Sequence, residues 1–202
     1  MSQEEGVVKY SLEFKKTEPI SSTCKDKIEV IREDMYALNL IGAYDDGIGF
    51  GNISLKIDNS DKFVITGTQT GHLKHLHVEN YSLVEKVDFD TFTTYASGAC
   101  QPSSEAITHA CIYALDAKIK AIIHVHNEKL WRYMLEHDYI STSDVEYGSL
   151  EMTKDIQQIY SSLDALENCS FVMKGHFEGV FVFAEDIEGA KKLLYQIMAK
   201  ML

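Results

Sequence analysis

The sequence has little arginine and no long apolar run, and each absence excludes a class of function. Only 2 of its 19 basic residues are arginine, against 31 acidic residues, and the formal net charge is −12. Nucleic-acid binding depends on Lys and Arg that neutralise phosphates, so this balance argues against a nucleic-acid partner. No apolar run reaches the roughly 18 residues of a membrane-spanning helix, and the N-terminus lacks the basic-then-apolar order of a signal peptide. We therefore expect a cytoplasmic protein that binds no membrane.

Proline and paired cysteines are scarce as well. The 4 cysteines form no C-x-x-C pair and no dense disulfide framework, which is typical of a reducing compartment. The 2 prolines mark no linker, and no repeat or low-complexity tract divides the chain. A chain of 202 residues can bury a core without cross-links. We predict a single domain over residues 1–202, to which the N-terminal ~20 residues add an extra strand.

Hydrophobic periodicity switches irregularly between strand-like and helix-like segments. The predicted strands are 8–14, 52–57, 62–66, 82–87, 91–96, 120–127, 170–175 and 179–184. The first predicted helix follows possible caps at 21–23, has its apolar positions within 28–38 and ends near residue 42. The other predicted helices are 105–117, 130–137, 152–163 and a last one from about 186. Several strand pairs are joined by short turns, which favours antiparallel neighbours. This order predicts an α/β fold in which helices pack on a mixed, largely antiparallel sheet.

The most specific feature is His124-Val125-His126 inside an apolar strand. Side chains alternate across a strand, so both imidazoles project from one face, within reach of a single ion. Neutral imidazole is a good ligand for zinc, iron or copper. The alternative is a pair of hydrogen-bonded core histidines, and the pair alone favours neither interpretation.

His176 lies in the turn KGHFEG between two predicted strands, where Gly175 and Gly179 permit tight backbone geometry. Three histidines with an open fourth position are the ligand set of catalytic zinc, whereas a closed structural site usually includes cysteine. A histidine in a turn is, taken alone, more often solvated. The metal interpretation therefore depends on the three histidines together.

The segment 102–105, Pro-Ser-Ser-Glu, precedes a predicted helix. Serine caps a helix and glutamate in the first turn favours the helix dipole, so capping alone explains the segment. The functional alternative is an anion site made by hydroxyls and backbone N–H groups, with the Glu105 carboxylate beside the anion. Two glycine-containing loops could supply further donors, from Gly51, Asn52, Thr70 and Gly71.

In this order, the motifs GFGNIS, ITGTQTG, PSSEAITHA, AIIHVHN and GHFEGVFVF resemble the class II aldolase/adducin family from about residue 24 onward. The SSE motif with H-x-H 19 residues after its glutamate, then one glycine-flanked histidine, is specific in combination. The resemblance implies a three-layer α/β/α fold around a mixed, mostly antiparallel sheet. It also implies a homotetramer with active sites between subunits.

The resemblance further implies a role for each motif residue. His124, His126 and His176 would bind a divalent metal, normally Zn²⁺, with Mn²⁺, Co²⁺ or Fe²⁺ as alternatives. Glu105 would be the catalytic acid/base. The substrate phosphate would be bound by Gly51, Asn52, Thr70, Gly71, Ser103 and Ser104.

The hypothesis is a metal-dependent lyase of the aldolase type. It would cleave or form a C–C bond in a small ketose phosphate or related hydroxycarbonyl compound through a metal-stabilised enediolate. Dehydration or decarboxylation at the same site and a non-catalytic adducin-like binding module are the alternatives. Family epimerases carry aspartate in place of Glu105 and adducin-type heads lack the histidines, so the aldolase or dehydratase branch matches better. Phe177 and Glu178 stand where aldolases usually place glycine, so a non-phosphorylated substrate is the alternative to a sugar phosphate.

The other histidines receive structural interpretations. His109 lies one helical turn after Glu105, and we expect it to contact that carboxylate. His137, near a helix end, suits the helix dipole. The remaining three share one polar loop and are His72, His75 and His77. Solvated positions are favoured for them over a second metal or anion cluster.

Overall fold

A central sheet and five helices make up the computed structural model, which describes residues 6–20, 22–57 and 60–201. The strands are β1 (Ser11–Lys16), β2 (Gly42–Ala43), β3 (Gly49–Phe50), β4 (Asn52–Lys56), β5 (Phe63–Thr66), β6 (Tyr81–Asp88), β7 (Thr93–Gly98), β8 (Ala121–His126), β9 (Ser170–Val172) and β10 (Gly179–Ala184). The α-helices are α1 (Ser22–Ala37), α2 (Ala106–Tyr113), α3 (Glu128–Glu136), α4 (Leu150–Tyr160) and α5 (Ile187–Ala199).

Eight of the strands form one mixed sheet in the order β1-β7-β6-β5-β4-β8-β10-β9. The β1–β7 pair is parallel and every other neighbouring pair is antiparallel. The predicted mixed, mostly antiparallel sheet is therefore confirmed. β8 lies inside this sheet, between β4 and β10, so both of its edges are paired.

Two hydrophobic clusters cover the opposite faces of the sheet, which confirms the three-layer α/β/α architecture. β8 contributes to both clusters, because Ile122 faces one and Ile123 faces the other. The helices α2 and α4 bury their apolar side chains on the face of Ile122. On the face of Ile123, α1, α3 and α5 do the same. Among the described residues, no helix combines the length and the apolarity that a bilayer crossing requires.

The predicted helix ends were wrong where the apolar pattern continued past the last residue of the helix. α1 ends at Ala37 instead of near residue 42, and α4 ends at Tyr160 instead of 163. Leu38 and Leu163, which extended the two patterns, are 47% and 39% exposed. α2 ends at Tyr113 instead of 117, and it is followed by a turn in which the Asp116 side chain accepts the Lys118 N–H (2.7 Å).

The glycine-rich segment after α1 was predicted as a loop, and it contains a small hairpin. β2 and β3 pair through Gly42 with Phe50 and Ala43 with Gly49. A two-residue strand leaves too few alternating positions for a periodicity signal. The hairpin leads directly into β4 and fixes the start of that strand beside β8.

Candidate metal and substrate site

Two of the candidate ligands lie side by side on β8. His124 and His126 are buried and project from the same face as Ile122, as the period of two predicts. In the strand register, Asn52 of β4 lies opposite His124, and Gly179 of β10 lies opposite His126. The two Nε2 atoms are 3.0 Å apart. Both rings are therefore held by a strand that is paired on each side.

The third histidine, His176, reaches these rings from the turn between β9 and β10. Its N–H donates to the Met173 carbonyl (3.3 Å), and its own carbonyl accepts the Gly179 N–H (2.9 Å). A Cβ on Gly179 would lie 3.1 Å from the His176 carbonyl oxygen and 3.2 Å from His176 Nδ1, so a larger residue there would crowd the ring. One ring nitrogen from each of the three histidines lies within 4.8 Å of the other two. The structure thus brings the three predicted ligands together.

The chemistry of this cluster fits a divalent metal ion. Burial lowers the pKa of His124 to about 4 and the pKa of His126 well below its usual value, so both rings are neutral, as ligands must be. His124 Nδ1 donates to the Val180 carbonyl (3.1 Å), because a carbonyl only accepts, and this leaves the lone pair on Nε2. The nitrogens of a tetrahedral zinc site lie about 3.3 Å apart. The 3.0 Å between the two Nε2 atoms is close to that separation.

A tyrosine and a glutamate support His126 from the side away from His124. The Tyr44 hydroxyl lies 2.8 Å from His126 Nδ1 and 3.2 Å from Glu178 Oε2. Because this hydroxyl can donate to the carboxylate and accept from the ring, it orients His126 with its Nε2 toward the cluster. Sequence reasoning gave Tyr44 no role, since 134 positions separate it from Glu178 and no local pattern links them.

Glu105 occupies the N-cap position of α2, one residue before the helix instead of in its first turn. Its side chain makes no capping hydrogen bond. Ser103 Oγ accepts the Glu105 N–H (3.3 Å), so one of the two candidate serines takes part in the helix start. The Glu105 carboxylate is therefore free from a capping role and can serve the pocket.

The carboxylate of Glu105 is buried beside the histidines. Its Oε1 lies 3.3 Å from His176 Nδ1 and 3.8 Å from His124 Nε2. Among the described residues, neither Glu105 oxygen has a hydrogen-bond partner. Burial alone would raise the pKa of Glu105, but His124 and His176 outweigh burial and lower it. A buried carboxylate without hydrogen bonds is costly, and such groups are concentrated at functional positions.

The loops predicted to bind an anion open onto the same pocket. Its lining includes every residue assigned above: Gly51, Asn52, Thr70, Gly71, Ser103, Ser104, Glu105, His124, His126 and His176. In the described part of the chain, the backbone N–H groups of Thr70, Gly71 and Ser104 donate to no other group. Unpaired N–H groups of this kind are suitable donors to an oxyanion.

Sequence reasoning missed part of the pocket wall. The additional lining residues are Gly6, Gly49, Phe50, Gly67, Thr68, Gln69 and Tyr147. Tyr147 stacks on the His176 ring (4.6 Å between centroids), and its hydroxyl accepts the Val7 N–H (3.0 Å). Gln69 has a φ of 56° and accepts the Gly49 N–H (2.8 Å). The motifs GFGNIS and ITGTQTG, which contain five of these residues, were the sequence signals that pointed to this region.

His109 contacts Glu105 through the main chain and not through a hydrogen bond from its ring to the carboxylate. The His109 N–H donates to the Glu105 carbonyl (3.0 Å), but the ring faces the sheet. Its Nε2 lies 2.5 Å from Asn52 Oδ1 and its Nδ1 lies 2.7 Å from Ser54 Oγ, because α2 packs this side on β4. Burial lowers the pKa of His109 to about 3, so the neutral ring has one donor and one acceptor nitrogen. His109 therefore fixes the orientation of the Asn52 amide.

The remaining histidines have the structural positions that were predicted. His72, His75 and His77 are exposed, and His75 Nδ1 lies 2.9 Å from Glu33 Oε1. His137 is the C-cap residue of α3, and its Nδ1 lies 2.9 Å from the Tyr133 carbonyl oxygen.

Comparison with known proteins agrees with this geometry. The sequence pattern of the family described as "Class II Aldolase and Adducin N-terminal domain" matches residues 43–200. No curated protein matches the chain in sequence. Similarity to solved structures is therefore the second line of comparison.

Three solved structures illustrate that similarity. An L-fuculose 1-phosphate aldolase has a TM-score of 0.68 at 17% identity, and the match covers 91% of this chain and 85% of that one. YgbL from Escherichia coli, described as a candidate aldolase/epimerase/decarboxylase, has a TM-score of 0.66 at 16% identity, over 88% and 86% of the two chains. A sugar-phosphate aldolase from Thermotoga maritima has a TM-score of 0.61 at 17% identity, over 86% and 91%. Identities this low show a shared fold.

Proposed function

The chain belongs to the class II aldolase and adducin family, and from this premise we propose that it is a metal-dependent lyase of the aldolase type. Its substrate would be a small ketose phosphate or a related hydroxycarbonyl compound. The observation that carries the proposal is the buried Glu105 carboxylate, which faces three clustered histidines and has no hydrogen-bond partner among the described residues. If Glu105 had only a structural role, its buried carboxylate would be expected to have hydrogen-bond partners.

The metal would be held by His124, His126 and His176, with Zn²⁺ as the native ion. A divalent ion bound there supplies Lewis acidity to the carbonyl and neighbouring hydroxyl oxygens of a substrate. The protein's contribution is to keep the ring nitrogens available. The Val180 carbonyl fixes the His124 ring and the Tyr44 hydroxyl fixes the His126 ring.

Glu105 would move the proton. In the synthetic direction its carboxylate removes a proton from the carbon next to the substrate carbonyl, and in the cleavage direction it returns that proton. Its low exposure keeps water from competing, since only 3% of the residue is accessible. Its position beside His124 and His176 places the proton acceptor next to the carbonyl-binding side of the pocket.

The anion of the substrate would bind to neutral donors. The N–H groups of Thr70, Gly71 and Ser104 supply three of them, and the Asn52 amide, oriented by His109, supplies another. Hydrogen bonds from preorganised backbone groups can hold a phosphate without lysine or arginine side chains in the wall. Fixing the phosphate places the reacting carbon against Glu105.

A dehydratase or a decarboxylase would use the same metal and the same base, and it remains the second candidate because YgbL shares the fold. An adducin-like binding module is less well supported, since it has no use for three buried and clustered imidazoles. A homotetramer with sites between subunits and a cytoplasmic location are also proposed, on the family resemblance. Sedimentation analysis tests the first, because a monomer would contradict it.

The experiment that tests the function is a substrate screen joined to metal analysis. Protein purified without chelator is expected to hold close to one metal ion per chain and to release an aldehyde from at least one phosphorylated ketose. Product identification separates cleavage from dehydration and decarboxylation. Fewer than about 0.2 ion per chain would exclude the lyase, because three buried histidines that act as ligands retain their ion through purification.

A further inference from the structure

The two arginines of the chain lie in opposite environments. Arg132 is exposed on α3 and pairs with Glu128 one turn earlier (2.7 Å). Arg32, on α1, is only 1% exposed. Burying a guanidinium group is unfavourable unless its donors are satisfied, so the contacts of Arg32 should explain its position.

In the part of the chain that the structure describes, every hydrogen bond of Arg32 goes to a main-chain carbonyl of one loop. Nη1 donates to Lys74 O (3.0 Å), and Nη2 lies 3.1 Å from Thr70 O, 3.4 Å from Gly71 O and 2.5 Å from Leu73 O. Among the described residues, no carboxylate lies within ion-pair distance of Arg32. The guanidinium group of Arg32 therefore interacts with the loop that carries Thr70 and Gly71, two of the candidate anion-binding residues.

The neighbouring acid is occupied elsewhere. Glu29 Oε1 accepts the Leu76 N–H (2.6 Å) and Glu29 Oε2 accepts the Tyr81 hydroxyl (2.8 Å). Glu29 thereby ties down the end of the loop that follows Lys74. Arg32 and Glu29, one helical turn apart on α1, thus hold successive parts of the same segment.

The contact to Thr70 O has a direct consequence for the pocket. No cis peptide bond occurs in the described residues, so each peptide C=O is antiparallel to the N–H of the next residue. Arg32 holds the Thr70 carbonyl, and the Gly71 N–H must point away from Arg32. That N–H donates to no other group among the described residues, and Gly71 lines the pocket. A Cβ on Gly49 would lie 3.1 Å from Gly71 N, so the glycine there keeps the donor accessible.

We propose that Arg32 is a positioning residue for the anion subsite of the proposed enzyme, where it aims the Gly71 N–H at the substrate phosphate and strengthens that donor. The inference rests on the proposed function, because it assumes a phosphate in this pocket. The described lining includes no lysine or arginine, and the chain carries a net charge of −12. A buried positive charge polarises the peptide unit that it contacts, and so makes the opposite N–H a better donor.

The test compares Arg32→Lys and Arg32→Met with Arg132→Met, which makes the charge change of Arg32→Met on the surface. The probe is inorganic phosphate, titrated into the metal-loaded protein by calorimetry. Arg32→Lys keeps the charge but cannot span four carbonyls, and we expect it to weaken phosphate binding about tenfold, as for one lost charge-assisted hydrogen bond. The KM for a phosphorylated substrate should rise by the same factor, while kcat and metal content stay within about twofold. Arg132→Met should match the wild type.

A second readout locates the effect at the proposed atom. In the wild type, the amide signal of Gly71 in a ¹⁵N–¹H spectrum should shift when phosphate is added, and in Arg32→Lys the shift should be much smaller. If Arg32→Met does not fold, the phosphate affinity of Arg32→Lys alone tests the role of Arg32. Wild-type affinity in Arg32→Lys, or a Gly71 signal that phosphate does not move, would overturn the role of Arg32 and leave the lyase standing. A wild-type protein that binds no phosphate would overturn both the phosphorylated substrate and this inference.

Discussion

At the scale of the residue, burial distinguishes the two strand histidines of the candidate metal site from the exposed histidines of the loop over residues 72–77. His124 and His126 are buried among apolar neighbours, and burial lowers the pKa of each, so they stay neutral. His72 and His75 are exposed in a polar loop. The sequence predicted this difference, because the apolar strand around His124 and the polar loop around His75 are both visible as composition.

Other residues of the site could not be predicted, because their partners are distant in sequence. Arg32 reads as one charged position on an amphipathic helix, and its acceptors lie about 40 residues later. His109 was assigned to Glu105 from helical spacing alone, but the side of α2 that packs on the sheet turns its ring to Asn52. Spacing along an element predicts neighbours on that element and says nothing about the element packed against it.

Replacing His109 tests whether its hydrogen bond to Asn52 Oδ1 stabilises the protein. His109→Leu would leave Asn52 Oδ1 buried without its donor, whereas Ser54 would keep its contact with Tyr113 (2.7 Å). We expect the free energy of unfolding to fall by about 2 kcal/mol, the cost of one orphaned buried acceptor. Chemical denaturation of His109→Leu beside His137→Leu, which alters an exposed histidine, measures the difference. Equal stability of the two variants would mean that the Asn52 contact contributes nothing.

At the scale of the element, the strand and turn that carry the ligands followed from simple patterns. Alternation on β8 placed both histidines on one face, and the glycine-flanked turn placed His176 at the end of β9 and β10. Helix ends were less predictable, because the exposed Leu38 and Leu163 continue the apolar spacing of α1 and α4 beyond the last helical residue. Hydrogen bonding, which composition does not report, decides where a helix ends.

The start of α5 offers a test of a capping residue. Asp186 Oδ1 accepts the Gly189 N–H (2.7 Å), and Asp186 has extended backbone geometry, as an N-cap residue should. Asp186→Ala is expected to lower the free energy of unfolding by about 1 kcal/mol. Glu185→Ala removes the same charge from the preceding exposed position and should change stability by less than about 0.5 kcal/mol. Indistinguishable thermal midpoints for the two variants would count against the cap.

The loop that carries Thr70 and Gly71 offers a second test. A Cβ on Gly71 would lie 1.9 Å from Gly42 O, so Gly71→Ala must displace the backbone of β2. We expect a loss of about 3 kcal/mol of stability, together with weaker phosphate binding. A Cβ on Gly47 would have no atom within 4 Å, and only the φ of 86° is unfavourable for alanine. Gly47→Ala should therefore lower the free energy of unfolding by about 1 kcal/mol. If the unfolding curves of Gly71→Ala and Gly47→Ala coincide, the loop can move away from β2 without loss of stability.

At the scale of the whole molecule, the sheet separates two helical layers, and the site lies on the face covered by α2 and α4. The family resemblance predicted this architecture, and the structure confirms it. The chain carries a formal net charge of −12, and the described pocket lining includes no lysine or arginine. In the proposed account, the buried Arg32 and the backbone N–H groups that are unpaired among the described residues would present donors to an anion.

Metal removal is expected to lower the stability of the whole fold. The three candidate ligands connect β8 with the turn between β9 and β10, so an ion that binds only the folded state stabilises both. Dialysis against chelator should lower the thermal midpoint, and one equivalent of Zn²⁺ should restore it. His176→Ala, which removes one ligand, should make the midpoint insensitive to zinc. A midpoint that chelator does not change in the wild type would contradict a resident metal.

The central claim is that Glu105 moves a proton beside a metal held by three histidines. Its most direct test is the rate of aldehyde release from the ketose phosphate identified by the screen, measured for metal-loaded wild type, Glu105→Gln and Glu128→Gln. The account predicts that Glu105→Gln retains its metal and loses at least about 100-fold in kcat, as for the removal of a general base, while Glu128→Gln, an exposed control, keeps wild-type turnover. Undiminished turnover in Glu105→Gln with full metal content would contradict it.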